Sequence, residues 1–200
     1  YFIGGITAPK TIGGYKFPFT ADNRLFLCNN QQGRKNTVLV SAAFQPDIFN
    51  GSDTTELEVG NGDELMAACA LFFRLTSNIF NMKLFFTTSA MYGLLGTDLE
   101  TYESMPISNT IGCIAPETLK VAVLNLGQEG DTQVAIWQAA NGIYIFTGAK
   151  PQLISQDIAN FFDPNESAAR RLHPSYAHLS VIELDMVRGR GHFLFAYGNS

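Results

Sequence analysis

The sequence predicts a mainly β fold made of repeated antiparallel hairpins, with one inserted α-helix and one short helix. Short apolar runs alternate with Gly, Pro and Asn along the chain, which is typical of strands joined by turns. Hydrophobic residues make up 46% of the 200 residues and charged residues 16%, so the chain can bury a substantial core. Two apolar hairpin patterns also recur about fifty residues apart, which favours a repeated unit.

Both ends of the sequence favour interpreting it as a portion of a larger protein. The predicted parts are, in order, an N-terminal extension at 1–22, a first hairpin and acidic loop at 23–62, an inserted helix at 63–81, and further hairpins at 82–200.

The first hairpin and the inserted helix depend on different patterns. Residues 23–30 and 37–44 are β-prone runs on either side of Gly33, which predicts a hairpin. Over about 63–80, apolar residues recur at helical spacing behind Asp63, a suitable N-cap. This segment is therefore predicted to be the one long helix.

The second half of the chain is predicted to form strands and one more short helix. Residues 119–124 form an apolar run after the Ala115-Pro116 turn. Residues 155–162 are predicted to form a short helix capped by Ser155, with three apolar side chains facing inward: Ile158, Phe161 and Phe162. A last hairpin is expected from residues 178–198, with its tip at 188–191.

The repeat lies in residues 83–96 and 133–148. Aligning 84–86 with 135–137 leaves Gly142 as one extra residue, and Met91 then faces Ile143. Residues 37–51 fit the same template more loosely. Such spacing is near that of β-propellers, in which sheets pack face to face because one four-stranded sheet cannot bury both faces alone.

Charge is unevenly distributed along the chain, whose net charge is −5. Residues 1–35 carry five basic side chains and one acidic one, whereas residues 47–64 carry six carboxylates and no base. An acidic chain is a poor candidate for tight phosphate binding. The acidic block is interpreted as a solvated loop.

No motif in the sequence indicates catalysis, a metal or a cofactor. The three histidines, His173, His178 and His192, lack metal-site spacing, and no serine lies in a GxSxG motif. The segment 163–167 offers oxygen ligands but lacks the EF-hand glycine, so a turn is favoured over calcium. The three cysteines form no CxxC pair, and two of them, Cys69 and Cys113, are expected to be small buried residues. No apolar run is long enough to span a membrane.

A resemblance to a known family is carried by residues 37–51, 60–96, 107–119 and 134–163, and it extends over most of 23–200. These segments resemble the tail nozzle or tail hub proteins of short-tailed bacteriophages, also called tail tubular protein B. The most specific part of the resemblance is the turn at 111–116, coupled to Trp137 and to "NGIYIF". The turn and core residues of this pattern are Gly112, Pro116, Trp137, Gly142 and Tyr144.

The resemblance implies a β-propeller-containing structural protein of the virion tail, assembled in the host cytoplasm. Copies would form a ring, expected to be a hexamer, that contacts the adaptor and other tail proteins. The ring would extend the DNA channel, retain the genome and release it during ejection, without sequence-specific DNA binding. Carboxylates on such a wall would repel phosphates, and the channel-facing candidates are Asp53, Glu56 and Glu58.

Two alternatives remain open on the sequence. One is a receptor- or carbohydrate-binding β module of a virion, and the less favoured one is a glycan hydrolase with paired carboxylates. Aromatic residues in loop-like segments are candidate interface anchors or, equally, plugs that close the ends of sheets: Phe17, Phe19, Phe44 and Phe49.

Overall fold

The computed structural model describes residues 13–75, 78–125, 131–167, 170–185 and 190–195. Strands dominate, as predicted, and they form four antiparallel sheets. The first sheet contains β1 (Tyr15–Ala21), β2 (Arg24–Asn30), β3 (Thr37–Val40) and β4 (Thr55–Glu58). The second contains β5 (Leu65–Leu75), β6 (Asn78–Thr87), β7 (Met91–Leu95) and β8 (Glu103–Ser108).

The third and fourth sheets continue in chain order. The third contains β9 (Lys120–Asn125), β10 (Asp131–Ala139), β11 (Gly142–Phe146) and β12 (Gln152–Leu153), and the fourth contains β13 (Val181–Asp185) and β14 (Arg190–Leu194). A 3-10 turn, Pro116–Thr118, precedes the third sheet. Two more 3-10 turns, Gln156–Ile158 and Pro174–Leu179, and the helix α1 (Ala159–Phe162) lie between the third and fourth sheets. Each strand pairs with the next one along the chain within its sheet, so every sheet is a meander.

The sheets stack in chain order with an apolar layer between each pair. Phe26 and Phe85 are fully buried between the first and second sheets, and Leu84 and Trp137 between the second and third. Ile136 and Ile182 belong to the layer between the third and fourth sheets. The first strands of neighbouring sheets also lie next to each other: β5 contacts both β1 and β9, and β9 contacts β13.

The predicted helix over 63–80 is wrong, because this segment forms β5 and the start of β6. Side chains along β5 alternate between two apolar layers: Ala68 and Ala70 face the first sheet, and Ala67 and Leu71 face the third. A strand buried on both faces is apolar throughout, so its sequence lacks the alternation that marks a half-buried strand.

The predicted N-terminal extension also contributes to the sheet. β1 and β2 are joined by the two-residue turn Asp22-Asn23, whose φ angles are +50° and +57°. Both central residues of a type I′ turn need positive φ, and Asp and Asn tolerate that conformation better than most side chains. This turn brings the edge strand β1 into register with β2.

The remaining predicted elements are largely confirmed. β2 pairs with β3, β9 occupies the run predicted at 119–124, and β13 pairs with β14. Of the hairpin tip predicted at 188–191, residues 188–189 lie outside the described residues, and Arg190 and Gly191 belong to β14. The short helix is present as a 3-10 turn followed by α1. Ser155 does not cap it, since its hydroxyl accepts a hydrogen bond from the Ile143 N–H, and Ile158 is 46% exposed rather than inward-facing.

The second and third sheets contain equivalent hairpins, as the repeat predicted. The predicted alignment is shifted by one residue in the first strand of each hairpin, β6 and β10. The two hairpins have equivalent two-residue turns, at 88–89 and 140–141. Superposing these turns aligns Phe85 with Trp137 and Tyr92 with Tyr144, and all four face the preceding sheet. No extra residue is then needed at Gly142. The looser match at 37–51 begins on the third strand of its sheet, not the second.

Candidate functional site

The acidic block at 47–64 lies against the basic residues that precede it in the sequence. Asp53 Oδ1 lies 2.6 Å from a guanidinium nitrogen of Arg24, whose side chain is only 5% exposed. Arg24 also donates to the Ser41 and Asp53 carbonyl oxygens, at 2.9 Å each, and the Ala43 N–H donates to Asp53 Oδ2. These bonds, first of all the one from Arg24, lower the pKa of Asp53. Asp53 therefore fixes the β3–β4 loop.

Two further carboxylates of this block form ion pairs. Glu58 pairs with Arg34 at the surface. Glu64 lies 3.1 Å from the Lys16 amine and 3.2 Å from the Lys35 amine, and it accepts a hydrogen bond from the Asn29 amide. The Asn29 bond, followed by that from Lys16, lowers the pKa of Glu64 to about 2. Three of the six carboxylates in the acidic block, Asp53, Glu58 and Glu64, are thus paired with basic side chains.

The three acidic channel candidates occupy different environments. Glu56 and Glu58 lie on the same exposed face of β4, while Leu57 between them packs towards the second sheet. β4 is the edge strand farthest from β1 in its sheet. Asp53 precedes β4 and is turned towards Arg24. Whether this surface faces DNA stays a prediction.

The turn and core candidates join the second and third sheets through a clasp, defined as the contacts of Gly112 and Cys113 with Trp137 and Thr87. The Trp137 indole N–H donates to the Gly112 carbonyl oxygen at 2.9 Å, and the Cys113 N–H donates to the Thr87 carbonyl at 2.8 Å. A Cβ on Gly112 would overlap the Thr87 carbonyl and lie 2.5 Å from the Ser89 nitrogen. Only glycine allows this close approach. The coupling of this turn to Trp137 is therefore a direct contact.

The other members of this group support the same region. Trp137 is fully buried and lies between Phe86, at a ring-centroid distance of 4.9 Å, and Tyr144, at 6.0 Å. Pro116 begins the 3-10 turn before β9. At Gly142, φ is +151°, and a Cβ would lie 2.5 Å from Leu153 and 2.6 Å from the Ser155 hydroxyl.

A buried polar cluster that the sequence did not predict joins the first and second sheets. Lys83 Nζ lies 2.5 Å from Asp22 Oδ2, with side-chain exposures of 0% and 5%. Lys83 also donates to the Gly96 carbonyl and lies 4.9 Å from the centre of the Tyr102 ring, whose hydroxyl donates to Asp22 at 3.3 Å. Burial, together with the Asp22 charge, raises the pKa of Tyr102. The one signal in the sequence was a lysine directly before the apolar run 84–86.

Two of the side chains considered as metal ligands, Asp163 and His173, accept hydrogen bonds from nearby backbone N–H groups. In the 163–167 segment the Asn165 N–H donates to Asp163 Oδ1 at 2.8 Å, which makes the turn that the sequence favoured. His173 Nδ1 accepts from the Ser175 N–H at the start of a 3-10 turn. Within the described part of the chain, no three His, Cys, Asp or Glu side chains are grouped so that they could hold a metal ion. No helix among the described residues is long and apolar enough to cross a membrane.

Comparison with models of known protein families finds no matching family, and comparison with curated proteins finds no match. A functional proposal therefore rests on the sequence resemblance together with the fold and the contacts of this chain.

The structure separates the four candidate aromatic anchors. Phe17 and Phe19 lie on β1 and pack into the layer between the first and second sheets, and Phe49 is 6% exposed. Phe44 is 78% exposed and has a φ of +58°. Of the four, only Phe44 presents its ring to solvent.

Proposed function

We propose that this chain is part of a ring-forming structural protein in the tail of a short-tailed bacteriophage, of the nozzle or hub class. The stacked sheets are consecutive blades of a β-propeller. One observation carries the proposal: successive four-stranded meanders pack face to face, and the first strands of neighbouring sheets adjoin. Strands that converge at one edge of each sheet are typical of blades arranged around an axis.

In this proposal the chain has a mechanical role. Copies form a ring, expected to be a hexamer, that continues the DNA channel, retains the packaged genome and releases it during ejection. The buried inter-sheet contacts support such a role, because the Asp22–Lys83 pair and the Gly112–Trp137 bond each tie two neighbouring sheets together. A wall that guides DNA under load needs blades that do not separate.

The charge of the chain is also compatible with guiding DNA without binding it tightly. The net charge is −5, and many of the basic side chains near the N-terminal end are engaged with carboxylates. Over the described residues 13–35 the basic side chains are paired with carboxylates, which keeps electrostatic attraction for DNA weak there. Asp53 has a structural role in this scheme, and Glu56 is the stronger channel candidate.

The proposal is tested by locating the chain in particles. Antibodies against the purified chain should label the tail of intact virions, and electron microscopy of the assembled tail should show a ring with a central channel at the labelled position. Absence of the chain from virions would refute the proposal. Binding of the isolated chain to host glycans, with no ring, would favour the receptor-binding alternative.

A further inference from the structure

Phe44 combines two features that are unfavourable in an isolated chain. Its ring is 78% exposed, and its backbone has a φ of +58°, in the left-handed region. A bulky residue in this conformation is a genuine outlier, because its Cβ crowds the following carbonyl. Glycine or asparagine would satisfy the same turn at lower cost.

The loop holds Phe44 firmly in this position. Its N–H donates to the Asn23 carbonyl at 2.8 Å, the Ala43 N–H donates to Asp53 at 2.9 Å, and the Ala42 N–H donates to the Ile48 carbonyl at 2.9 Å. Asp53 in turn is fixed by the buried Arg24. The exposed ring is therefore presented on a rigid support, as in a preorganised binding anchor.

The described residues include a second exposed apolar site on the segment that precedes the fourth sheet. Tyr176 and Leu179, on the 3-10 turn Pro174–Leu179, are 39% and 52% exposed. Residues 170–182 carry Arg170 and Arg171 but no carboxylate. The Phe44 loop carries the opposite charge at Asp47, since Asp53, the other acidic residue of 44–55, is already paired with the buried Arg24.

We propose that the Phe44 loop of one copy docks on the 170–180 segment of a second copy of this chain. Phe44 contacts Tyr176 and Leu179 of the neighbouring copy, and Asp47 lies near its Arg170. The two surfaces are different patches of the chain, so the contact is head-to-tail, and such contacts form a ring when the rotation between copies closes. The inference rests on the proposed function for its choice of partner, and it names the contact that would join the copies.

The test measures self-association of the full 200-residue chain by sedimentation velocity over a range of concentrations. Phe44→Asn removes the ring but keeps a residue that tolerates positive φ. It should weaken association about tenfold or more, while the thermal midpoint of the variant stays equal to or above that of the original chain. Met105→Asn is the matched control, because Met105 is 40% exposed on β8, outside both docking surfaces. It should leave association unchanged.

A charge exchange identifies the partner surface. Asp47→Arg and Arg170→Asp should each weaken association, and the two substitutions in one chain should restore it. A wild-type chain that stays monomeric up to about 100 µM, equal association of Phe44→Asn and wild type, or no recovery in the double variant would each overturn the inference.

These outcomes are distinct from those that test the proposed function. Virions that contain the chain in a tail ring unaffected by Phe44→Asn would refute only this contact. Association that depends on Phe44, by a chain absent from virions, would refute only the tail function.

Discussion

Asp22 in the β1–β2 turn and Lys83 on β6 form a buried ion pair that joins two sheets across 61 residues of sequence. The pair lies 2.5 Å apart, and both partners make further contacts with Tyr102. Burying two charges is costly, so such a pair contributes specificity of packing more than stability. It fixes how the first sheet sits on the second.

We expect Lys83→Met to lower the free energy of unfolding by about 3–5 kcal/mol, because Asp22 would remain buried without its counter-charge. Urea denaturation followed by circular dichroism measures the change. The double variant Asp22→Asn with Lys83→Met should recover part of the loss, since asparagine is neutral and tolerates the positive φ of this turn. Equal stabilities of the single and double variants would show that the two charges are not coupled.

The clasp between Gly112 and Trp137 gives a second prediction. Trp137→Phe leaves the buried Gly112 carbonyl without its donor and should cost about 1–3 kcal/mol of unfolding free energy. Gly112→Ala should cost more, because the added methyl overlaps backbone atoms at the β6–β7 turn. Trp137 is the single tryptophan of the chain, so a red shift of its fluorescence in Gly112→Ala would report opening at this interface. Unchanged fluorescence and stability in that variant would contradict the clasp.

The acidity of Glu64 predicts how stability depends on pH. Its pKa is lowered from 4.5 to about 2 in the folded chain, so its contribution is present above pH 4.5 and is lost as the pH falls towards 2. Glu64→Gln should therefore flatten the fall in unfolding free energy over this window, and the variant should be less stable than the original chain at neutral pH. Asp63→Asn, at the exposed neighbouring position, is the control. Parallel pH profiles for Glu64→Gln and the original chain would rule out this linkage.

Much of the strand pattern could be predicted from the sequence, because turns depend on residues that are adjacent in the chain. Gly33 lies between β2 and β3, and the Ala115-Pro116 turn lies between β8 and β9, as predicted. β5 was mistaken for a helix because its residues are apolar towards both neighbouring sheets, and an all-apolar run has no period that separates strand from helix. The buried Asp22–Lys83 pair could not be predicted, because it depends on how two distant sheets pack.

The charge distribution could also be predicted only in part, because the sequence shows where charges lie but not which of them form pairs. Residues 1–35 and 47–64 have opposite net charge, and that asymmetry was visible in the sequence. The sequence did not show that Arg24 would be buried against Asp53 or that Glu64 would sit between Lys16 and Lys35. These partners are selected by strand pairing and by the fold of the β3–β4 loop. A block interpreted as a solvated loop is therefore in part a network of ion pairs.

This network separates the acidic channel candidates into structural and exposed residues. Asp53→Lys should destabilise the chain, because it places a cation against the buried Arg24. Glu56→Lys should preserve the fold, since Glu56 is exposed on β4, and we expect it to slow genome release from virions that carry the variant. Added positive charge on a channel wall attracts phosphates, and this attraction weakens as salt increases.

The rate of DNA release after triggering in vitro, measured at low and high salt, tests this effect. Glu56→Gln is the matched control, because it removes one charge without adding the opposite one and should have the smaller effect. A release rate for Glu56→Lys that equals that of the original virions at low salt would place β4 away from the DNA. In that case the wall of the channel would have to be formed by another surface of the ring, and Glu56 would have no part in ejection.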